Sequence, residues 1–575
     1  MKRYWKYIRP YIQYYILGPC FMMMEVVGDV LLPYMLAKII NQGIAERNVV
    51  YIIKIGVIMG FIAVMMAVGG VLGAWFASKA AMNFGADLRM DLFEKIQQFS
   101  FQNIDNFSTG SLITRLTNDI TQIQNMIMMT LRMCLRSPGI LIGAMVMAFV
   151  ISPKLAAIFI IVLPVLAVLI VVIMRRAFPQ FRTLQEKLDA LNSCIQEELV
   201  GIRLIKSFVR GDYEEMRFEK RNQQLKEANL TAMKTMLLYT PLMTLALNIT
   251  TVVVVWSGGN MIVAGNMQVG DLTAFTNYIV QIMSSLTMLS IAFLNWARAI
   301  ASFRRVGEVL DEKIDLTDEN AKHKDRAVCE GSVEFQNVSF RYYKNSPEWV
   351  IENISFKLEA GKTLGIIGST GSGKSTLVSM IPRLYDTDEG TVLVDGINVR
   401  DYGLKPLREG IGMVLQNNTL FSGSITENLK WGDEHADEKA VRKAAQNAQA
   451  AGFIDSFKDG YRTRLEQSGN NVSGGQKQRL CIARALLKCP KILILDDSTS
   501  AVDTATERAI REALHSEYKD MTKIIIAQRI RSVMDADEIL VLDNGKTAGF
   551  GTHEQLLADC PVYREIYDVQ NGREE

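Results

Sequence analysis

The sequence has few cysteines, almost no net charge and no internal repeat. Its 575 residues include seven cysteines, with no CxxC pair and no cysteine–histidine spacing of the kind that binds zinc. Cys20 and Cys134 fall in long apolar stretches, and the other five are expected on the reducing, cytoplasmic side of a membrane, so no disulfide framework is predicted. The net charge of +2 gives no indication of a nucleic-acid partner. Apolar sequence is abundant instead, and its longest runs lie before about residue 300.

Six of these apolar stretches are long enough to cross a bilayer. They lie near residues 13–39, 51–78, 127–150, 154–175, 237–263 and 272–296. The first is too long for the apolar region of a signal peptide and lacks a small-residue cleavage site, so we expect it to be retained. The sequence therefore predicts an α-helical membrane domain with six transmembrane helices over residues 1–310. A polar linker over 311–330 and a second domain over 331–575 follow it.

Basic residues are distributed unevenly between the segments that join the apolar stretches. The long segments 79–126 and 176–236 are rich in Lys and Arg, whereas the short loops near 41–50, 151–153 and 264–271 carry few. Positively charged loops remain on the cytoplasmic side of a membrane. The sequence thus predicts a multi-pass protein of the cell membrane, surrounded by the lipid bilayer, with both termini and both long segments in the cytoplasm.

The second domain contains a glycine-rich motif. Residues Gly368–Thr376 (GSTGSGKST) fit the phosphate-binding pattern G-x-x-x-x-G-K-[ST]. The apolar run Thr363–Ile367 before the motif is typical of a strand and Leu377–Arg383 after it of a helix, which is the context that the motif requires. We expect Lys374 to reach the β- and γ-phosphates of ATP and Ser375 to bind Mg²⁺. The motif therefore predicts an α/β nucleotide-binding domain.

Further motifs follow in a fixed order. Lys491–Asp496 has the pattern of a buried parallel strand that ends in a carboxylate, which is expected to join the Mg²⁺ shell. Val472–Gln476 (VSGGQ) precedes it and is followed by the basic helical stretch Lys477–Arg484. In this combination the chain resembles the P-loop nucleotide-binding domain of an ABC transporter over about residues 333–566. Val472–Gln476 resembles the LSGGQ signature of that family.

The resemblance implies roles for further residues. Gln416 matches the Q-loop, Ser500–Asp503 matches the D-loop, and Tyr342 matches the aromatic residue that stacks on adenine, with Tyr343 as an alternative. The predicted Mg²⁺ ligands are Ser375, Gln416 and Asp496. The predicted ATP-binding residues are Tyr342, Gly368, Ser369, Thr370, Gly371, Ser372, Gly373, Lys374, Ser375, Thr376, Gln416, Val472, Ser473, Gly474, Gly475, Gln476 and Asp503.

Two residues depart from the family pattern at the positions closest to the chemistry. Asp497 stands where the family has its catalytic glutamate, and Gln528 stands where it has its switch histidine. Aspartate is one methylene shorter, which withdraws its oxygens by roughly 1.5 Å, and a general base must come within about 3 Å of the proton that it takes. A glutamine amide donates a hydrogen bond but carries no proton or charge as imidazole does. We therefore expect this chain to bind ATP well and to hydrolyse it slowly.

In the family a nucleotide site forms between two such domains, with the phosphate loop of one facing the signature of the other. The signature here is close to the family pattern, so the resemblance implies a heterodimer with a second half-transporter that carries the glutamate and the histidine. Two alternatives stay open. One is a homodimeric exporter that turns over slowly, and the other is a non-transporting, ATP-gated regulator or channel.

The whole chain resembles the six-span half-transporters called type IV ABC exporters. Phe107–Asp119 matches the family pattern T-G-x-L-x-x-R-L-x-x-D after the first coupling segment, and Phe208–Phe218 matches the second. This resemblance implies ATP-driven export by alternating access of an amphipathic drug, lipid or peptide-like substrate. Glu25 and Asp29, one helical turn apart in the first span, are expected either to line the translocation path or to pair with Arg132 or Arg136.

Overall fold

The computed structural model describes residues 2–344 and 346–571, apart from several side chains between 290 and 298. The chain forms two compact units. The helical unit comprises Met1–Gln97 and Gly110–Asp311, and the sheet unit comprises Gln98–Thr109 and Glu312–Glu575. The short segment 98–109 therefore packs with the sheet unit, whereas the sequence assigned it to the membrane domain.

The helical unit consists of long helices, most of which contain apolar sequence over many consecutive turns. Ser152 begins one of them: its hydroxyl accepts a hydrogen bond from the backbone N–H of Leu155, and Pro153 occupies the first helical position. The helices that lie in or border this unit are α1 (Trp5–Ile8), α2 (Ile12–Lys38), α3 (Val49–Gln97), α4 (Phe101–Asp105, in the sheet unit), α5 (Thr109–Thr114), α6 (Ile120–Met133), α7 (Arg136–Ile151), α8 (Pro153–Val200), α9 (Ile202–Ser207), α10 (Gly211–Leu237), α11 (Tyr239–Val263) and α12 (Val269–Asp311).

Five stretches of helix among the described residues are long and apolar enough to cross a membrane. They are Trp5–Ile44, Val49–Gln97, Thr109–Ile151, Pro153–Val200 and Gly211–Val263. These five contain the first five predicted spans. The sixth, near 272–296, lies in α12, where several side chains are outside the described part, so a count of six remains a prediction.

The third predicted span, 127–150, is not one continuous helix. Helix α6 ends at Met133 and α7 begins at Arg136, with a turn at Cys134 and Leu135 between them. Pro138 lies in the first turn of α7, where the missing N–H of proline needs no intrahelical partner. Proline alone does not cause the break, because α2 contains Pro19 and Pro33 and is continuous from Ile12 to Lys38.

The sheet unit contains two larger β-sheets and a two-stranded one. A mixed six-stranded sheet has the order β12-β11-β3-β10-β9-β6, in which only the edge strand β12 is antiparallel to its neighbour, and a four-stranded antiparallel sheet has the order β2-β1-β4-β5. The strands are β1 (Val333–Phe340), β2 (Ile351–Leu358), β3 (Thr363–Gly368), β4 (Glu389–Val394), β5 (Ile397–Asn398), β6 (Ile411–Val414), β7 (Gly423–Ser424), β8 (Arg464–Leu465), β9 (Ile492–Asp496), β10 (Thr522–Ile526), β11 (Glu538–Asp543) and β12 (Lys546–Gly551). The helices are α13 (Lys374–Ser379), α14 (Leu404–Glu409), α15 (Ile425–Leu429), α16 (Glu438–Asn447), α17 (Ala451–Ser456), α18 (Gly474–Leu487), α19 (Thr504–Glu517), α20 (His553–Asp559) and α21 (Pro561–Asn571).

The central strands of the larger sheet are buried on both faces, as a parallel sheet requires. Every residue of β9 is buried, and so are four of the five residues of β10. The apolar side chains of these strands lie in the core of the unit because that burial removes them from water. The predicted strand Lys491–Asp496 is thus found as β9, one residue shorter.

Residues 312–330 of the predicted linker belong to the sheet unit and form hydrogen bonds within it. The backbone N–H of Leu404 donates to the Asp318 carboxylate at 3.0 Å, and the backbone N–H of His323 donates to the carbonyl of Asp401 at 2.7 Å. Asp315 accepts a hydrogen bond from Ser100 of the segment 98–109. These contacts place the linker and that segment side by side.

Candidate nucleotide-binding site

Three neighbouring strands end at one edge of the larger sheet and bring the phosphate loop and the two substituted positions together. Strand β10 lies between β3 and β9, and Ile526 at its end pairs with Ile366 on one side and with Asp496 on the other. The phosphate loop follows β3, Gln528 follows β10, and Asp497 follows β9. Because parallel strands present their carboxyl ends at the same edge, this is where a ligand binds in such a sheet.

The phosphate loop needs glycine at defined points. Gly373 has a φ of +89°, and a Cβ there would lie 2.7 Å from Ile351 Cγ2 and 2.9 Å from the Val350 carbonyl oxygen. A Cβ on Gly368 would lie 2.1 Å from the Leu542 carbonyl oxygen. Only glycine fits either position, so the loop can turn its backbone N–H groups towards a phosphate. At the tip, Ser369, Thr370 and Gly371 are exposed, whereas Ser372 is buried.

Lys374 is held against this loop by backbone oxygens. Its Nζ donates to the carbonyls of Gly368 at 3.0 Å and of Ser369 at 2.7 Å. Burial lowers the pKa of Lys374, and the nearby Asp497 and Asp496 oppose that change. A phosphate group bound between the loop and Lys374 would therefore interact with a partly desolvated positive charge.

Ser375 and Asp496 form the predicted magnesium pair. Ser375 Oγ donates to Asp496 Oδ1 at 2.9 Å, and Asp496 is buried at the end of β9. Burial raises the pKa of Asp496, and the hydrogen bond from Ser375 opposes the rise. A hydroxyl and a carboxylate oxygen are the hard ligands that Mg²⁺ takes alongside phosphate oxygens, so these two residues fit the ion. Gln416, the third predicted ligand, is exposed after β6.

The two substituted positions contact each other. Gln528 Nε2 donates to Asp497 Oδ2 at 2.8 Å. Asp497 has a φ of +48°, in the left-handed region, and its backbone N–H donates to the carbonyl of Ile526 at 3.1 Å. Burial raises the pKa of Asp497, while the Gln528 amide, Lys374 and Arg529 act in the opposite direction. One oxygen of the carboxylate at the catalytic position is thus occupied by a neutral amide.

A residue that the sequence did not indicate holds the loop that carries Gln528. Gln570, near the end of α21, donates from Nε2 to the carbonyl of Gln528 at 2.8 Å. Its Oε1 accepts the backbone N–H of Ile530, also at 2.8 Å. One side chain therefore bridges both sides of Arg529. Gln570 lies 40 residues after Ile530 and 42 after Gln528 in the sequence, so no local pattern indicates these contacts.

Tyr342 lies beside the helix that follows the phosphate loop. Its hydroxyl is 2.8 Å from Thr376 Oγ1, and its ring meets the edge of Tyr385 with centroids 5.4 Å apart. Its neighbour Tyr343 is 74% exposed, compared with 37% for Tyr342. This position favours Tyr342 over Tyr343 as the adenine-stacking residue, a role that remains a prediction.

Tyr385 links this region to the segment 98–109. Its hydroxyl donates to Asp105 Oδ2 at 2.8 Å, and its ring meets Phe101 edge to face at 5.9 Å. Burial and the Asp105 carboxylate both raise the pKa of Tyr385, so the hydroxyl stays protonated and donates. The sequence pattern placed a coupling segment here but did not indicate Tyr385 as its partner.

The signature residues form the beginning of a helix. Ser473 is the N-cap of α18: its Oγ accepts from the Gln476 N–H, and Gln476 Oε1 accepts from the Ser473 N–H at 2.9 Å. This reciprocal pairing is a capping box. A Cβ on Gly475 would lie 2.7 Å from the Ala501 carbonyl oxygen, so glycine allows close approach to the predicted D-loop. Val472 and Gly474 complete the segment, in which Ser473 and Gly474 are exposed and the other three residues are half-buried.

Hydrogen bonds connect the D-loop to α18, the helix that begins at the signature. The buried Gln478 accepts from the Ala501 N–H at 3.0 Å and donates to Ser500 Oγ at 3.2 Å. Asp503, predicted to bind nucleotide, is the N-cap of α19 and accepts from the Thr506 N–H at 2.9 Å. That backbone hydrogen bond lowers the pKa of Asp503. In this structure its carboxylate therefore stabilises a helix.

In the helical unit, the two predicted membrane carboxylates share one arginine. Arg136 Nη2 lies 2.8 Å from Glu25 Oε1 and 3.3 Å from Asp29 Oδ2. The pairing expected with Arg132 or Arg136 is thus formed with Arg136.

Family models and known proteins agree with this architecture. Residues 15–286 match the ABC transporter transmembrane region, and residues 351–500 match the ABC transporter model. The ABC transporter ATP-binding protein YfiB of Bacillus subtilis is 39% identical over 574 residues, covering 100% of this chain and 99% of YfiB. The putative multidrug export ATP-binding/permease protein YgaD of the same organism is 33% identical over 589 residues, covering 99% of both chains.

A solved structure of a bacterial Atm1-family ABC exporter with ATP bound superimposes with a TM-score of 0.81 over 98% of each chain, at 24% identity. At that identity the likeness establishes the fold. The predicted order, a helical membrane domain followed by an ABC nucleotide-binding domain, is confirmed. With relatives aligned along its whole length, this chain belongs to the ABC transporter family and is an ATP-hydrolysing transporter of that type.

Proposed function

We propose that the chain is one subunit of a heterodimeric ATP-driven exporter, whose own nucleotide site retains ATP and hydrolyses it slowly. Its partner is a second half-transporter that carries the catalytic glutamate and the switch histidine. The substrate is an amphipathic molecule of drug, lipid or peptide type. The similarity to YgaD, a putative multidrug export protein, supports the direction and the substrate class.

The hydrogen bond between Gln528 and Asp497 is the observation that carries this proposal. A general base for hydrolysis needs a carboxylate oxygen free to accept a proton from the attacking water. Here the carboxylate is set back by about one bond length, roughly 1.5 Å, because aspartate replaces glutamate. A misplacement near 1 Å costs on the order of 10²-fold in rate. The amide of Gln528 also supplies no charge for a γ-phosphate.

Nucleotide binding, by contrast, has its full set of groups. Lys374 and the phosphate loop would bind the phosphates, Tyr342 would stack on adenine, and Ser375, Asp496 and Gln416 would hold Mg²⁺. When bound, the ion neutralises charge on the β- and γ-phosphates. The signature of this chain completes the partner's site, because Ser473 and Gln476 keep its helix start intact. Hydrolysis at that site then reopens the two nucleotide-binding domains.

The membrane arrangement follows the family pattern. Six spans, with both termini in the cytoplasm of the cell, form half of a translocation path. ATP binding draws the two nucleotide-binding domains together, and the coupling segments transmit that closure to the spans. Because ATP favours the closed state, it shifts the population between inward-facing and outward-facing forms.

The decisive experiment uses the full chain purified alone and reconstituted in lipid. We expect it to bind ATP with Mg²⁺ and to release γ-phosphate slowly. Robust, cooperative ATP hydrolysis by the single polypeptide would contradict the heterodimer and favour the slow homodimeric exporter instead. Vesicles that contain both subunits but move no substrate in the presence of ATP would favour a regulator or channel.

A further inference from the structure

A cavity of about 970 Å³ lies in the sheet unit. Its walls come from α19, from strands β3 and β10, and from the segment 531–536, which follows the loop that carries Gln528. Apolar side chains form part of the lining, and they include Leu514, Ile525 and Met534. Charged and polar groups form the rest, which is the mixed lining of a small-molecule site.

Positive charge exceeds negative charge in this lining. The cationic residues are Arg508, Arg511, Lys523 and Arg531, the anionic residues are Glu512 and Asp535, and His515 is a further basic residue. Both carboxylates already have partners: Glu512 lies 3.7 Å from Arg508 Nε, and Asp535 lies 3.2 Å from Arg511 Nη1. Four cations thus face two carboxylates, so the cavity favours an anion.

Lys523 is the residue that points most directly to an anionic ligand. It is 6% exposed, and its Nζ donates to the carbonyl of Met521 at 2.9 Å. It forms no ion pair among the residues that the structure describes. Burial lowers the pKa of Lys523, and the more distant Asp537 and Asp520 oppose that change. A buried ammonium group without a carboxylate partner is destabilising, and an anion in the cavity would supply a partner.

Other basic groups of the cavity are on the protein surface, where a ligand can reach them. Arg508 and His515 are exposed. The ion pair of Arg508 with Glu512 joins side chains that are 77% and 72% exposed, and such pairs contribute little to stability. Arg508 can therefore exchange Glu512 for a ligand at small cost. Arg511 Nη1 donates to the carbonyl of Arg531 at 2.8 Å, so α19 and the segment 531–536 are already joined beside the cavity.

We propose that this cavity binds a soluble small molecule with two or more phosphate groups. Arg508, His515 and Arg531 contact the phosphates, and Lys523 adds positive charge from the cavity wall. Phosphate suits this lining because arginine binds it through paired, charged hydrogen bonds. The phosphates belong either to a nucleotide or to a free polyphosphate. None of the lining residues belongs to the phosphate loop, and the site does not depend on pairing with a second half-transporter.

The test is isothermal titration of the full chain in zwitterionic nanodiscs, with the phosphate loop filled by ADP and Mg²⁺. Inorganic tripolyphosphate and orthophosphate are the probes, at constant free Mg²⁺. We expect tripolyphosphate to bind at least about tenfold more tightly, because it forms more charged hydrogen bonds. Arg508→Gln should weaken that binding by about tenfold, as for one hydrogen bond to a charged group, and Arg508→Lys should restore part of it. Arg462→Gln, which removes an exposed arginine outside the cavity, is the matched control.

Lys523→Met separates ligand binding from a structural role. Methionine is apolar and of similar length, so we expect about tenfold weaker tripolyphosphate binding with the Tm unchanged or raised. Glu512→Gln removes a carboxylate from the lining and should tighten binding by about threefold, which a misfolded variant could not do.

Equal affinities of the wild type for the two probes would overturn the proposal. So would a lower Tm with unchanged tripolyphosphate affinity in Lys523→Met, or an unchanged affinity in Arg508→Gln. Diadenosine tetraphosphate and inorganic tetraphosphate distinguish the two sources of the ligand. Tighter binding of the former supports a nucleotide, and tighter binding of the latter supports a free polyphosphate.

Discussion

Gln528 donates from its side-chain amide to the carboxylate of Asp497, at 2.8 Å. The two residues that differ from the family pattern are thus one structural unit, although 31 positions separate them in the sequence. Residues that share a hydrogen bond do not contribute independently, so their effects should be strongly non-additive. This coupling gives the first prediction.

Restoring the family residues one at a time should do little, and restoring both should accelerate hydrolysis. Asp497→Glu extends the carboxylate but leaves a neutral amide beside it, and Gln528→His supplies imidazole but leaves the base short. We expect each single variant to release γ-phosphate within about threefold of the wild type, and the double variant to be about 10- to 100-fold faster. Single-turnover phosphate release measures this. A full acceleration by Asp497→Glu alone would show that Gln528 has no part in the slow rate.

Gln570 should control the loop that carries Gln528. Gln570→Ala removes hydrogen bonds to the Gln528 carbonyl and the Ile530 N–H, each contributing about 0.5–1.5 kcal/mol. We expect faster amide exchange at Ile530 and ATP dissociation about three- to tenfold faster. Val569→Ala, which changes a 70% exposed neighbour on the same helix, is the control. Unchanged exchange at Ile530 in Gln570→Ala would exclude this positioning role.

Tyr385 should connect ATP binding to the segment 98–109. Tyr385→Phe keeps the ring contacts but removes the hydroxyl that donates to Asp105. We expect ATP affinity to change by less than about twofold. The unfolding free energy of the domain should fall by about 1.5–3 kcal/mol, as for a lost hydrogen bond to a charged group. ATP-dependent transport should fall further than ATP binding. Tyr343→Phe removes an exposed hydroxyl and should alter none of these quantities, so an equal effect of both variants would contradict the link.

Local patterns predicted the phosphate loop, β9 and the signature because each depends on neighbouring residues. Alternation and runs of apolar residues specify buried strands, and glycine spacing specifies the loop. The contacts of Gln570 and Tyr385 could not be found in this way, because the partners of Gln570 lie 40 and 42 positions away and Asp105 lies 280 positions from Tyr385. Only the packing of α21 and of the segment 98–109 brings them together.

The membrane half shows the same limit. Hydropathy predicted the stretch 127–150 as one span, since an average over many residues conceals the two-residue turn between α6 and α7. The pairing of Arg136 with Glu25 was one of several open alternatives, because hydropathy does not specify which faces of two helices meet. Helix existence is therefore readable from composition, whereas helix interruption and charge pairing depend on individual residues.

Magnesium binding at this site should weaken on acidification earlier than an ordinary aspartate would allow. Burial raises the pKa of Asp496, so the carboxylate needed for the metal is lost at a higher pH than usual. The stability of the metal-free protein depends on pH in the opposite direction. The raised pKa in the folded state contributes stability that is fully present below the ordinary aspartate pKa and is lost as pH rises through the folded-state pKa. Mn²⁺ affinity measured by electron paramagnetic resonance between pH 4.5 and 7.5 tests the first effect. Thermal unfolding without metal tests the second. Asp496→Asn should remove the pH dependence of Mn²⁺ affinity and reduce that of stability, to which Asp497 with its raised pKa also contributes. An equally steep loss of Mn²⁺ affinity in that variant would show that another group binds the ion.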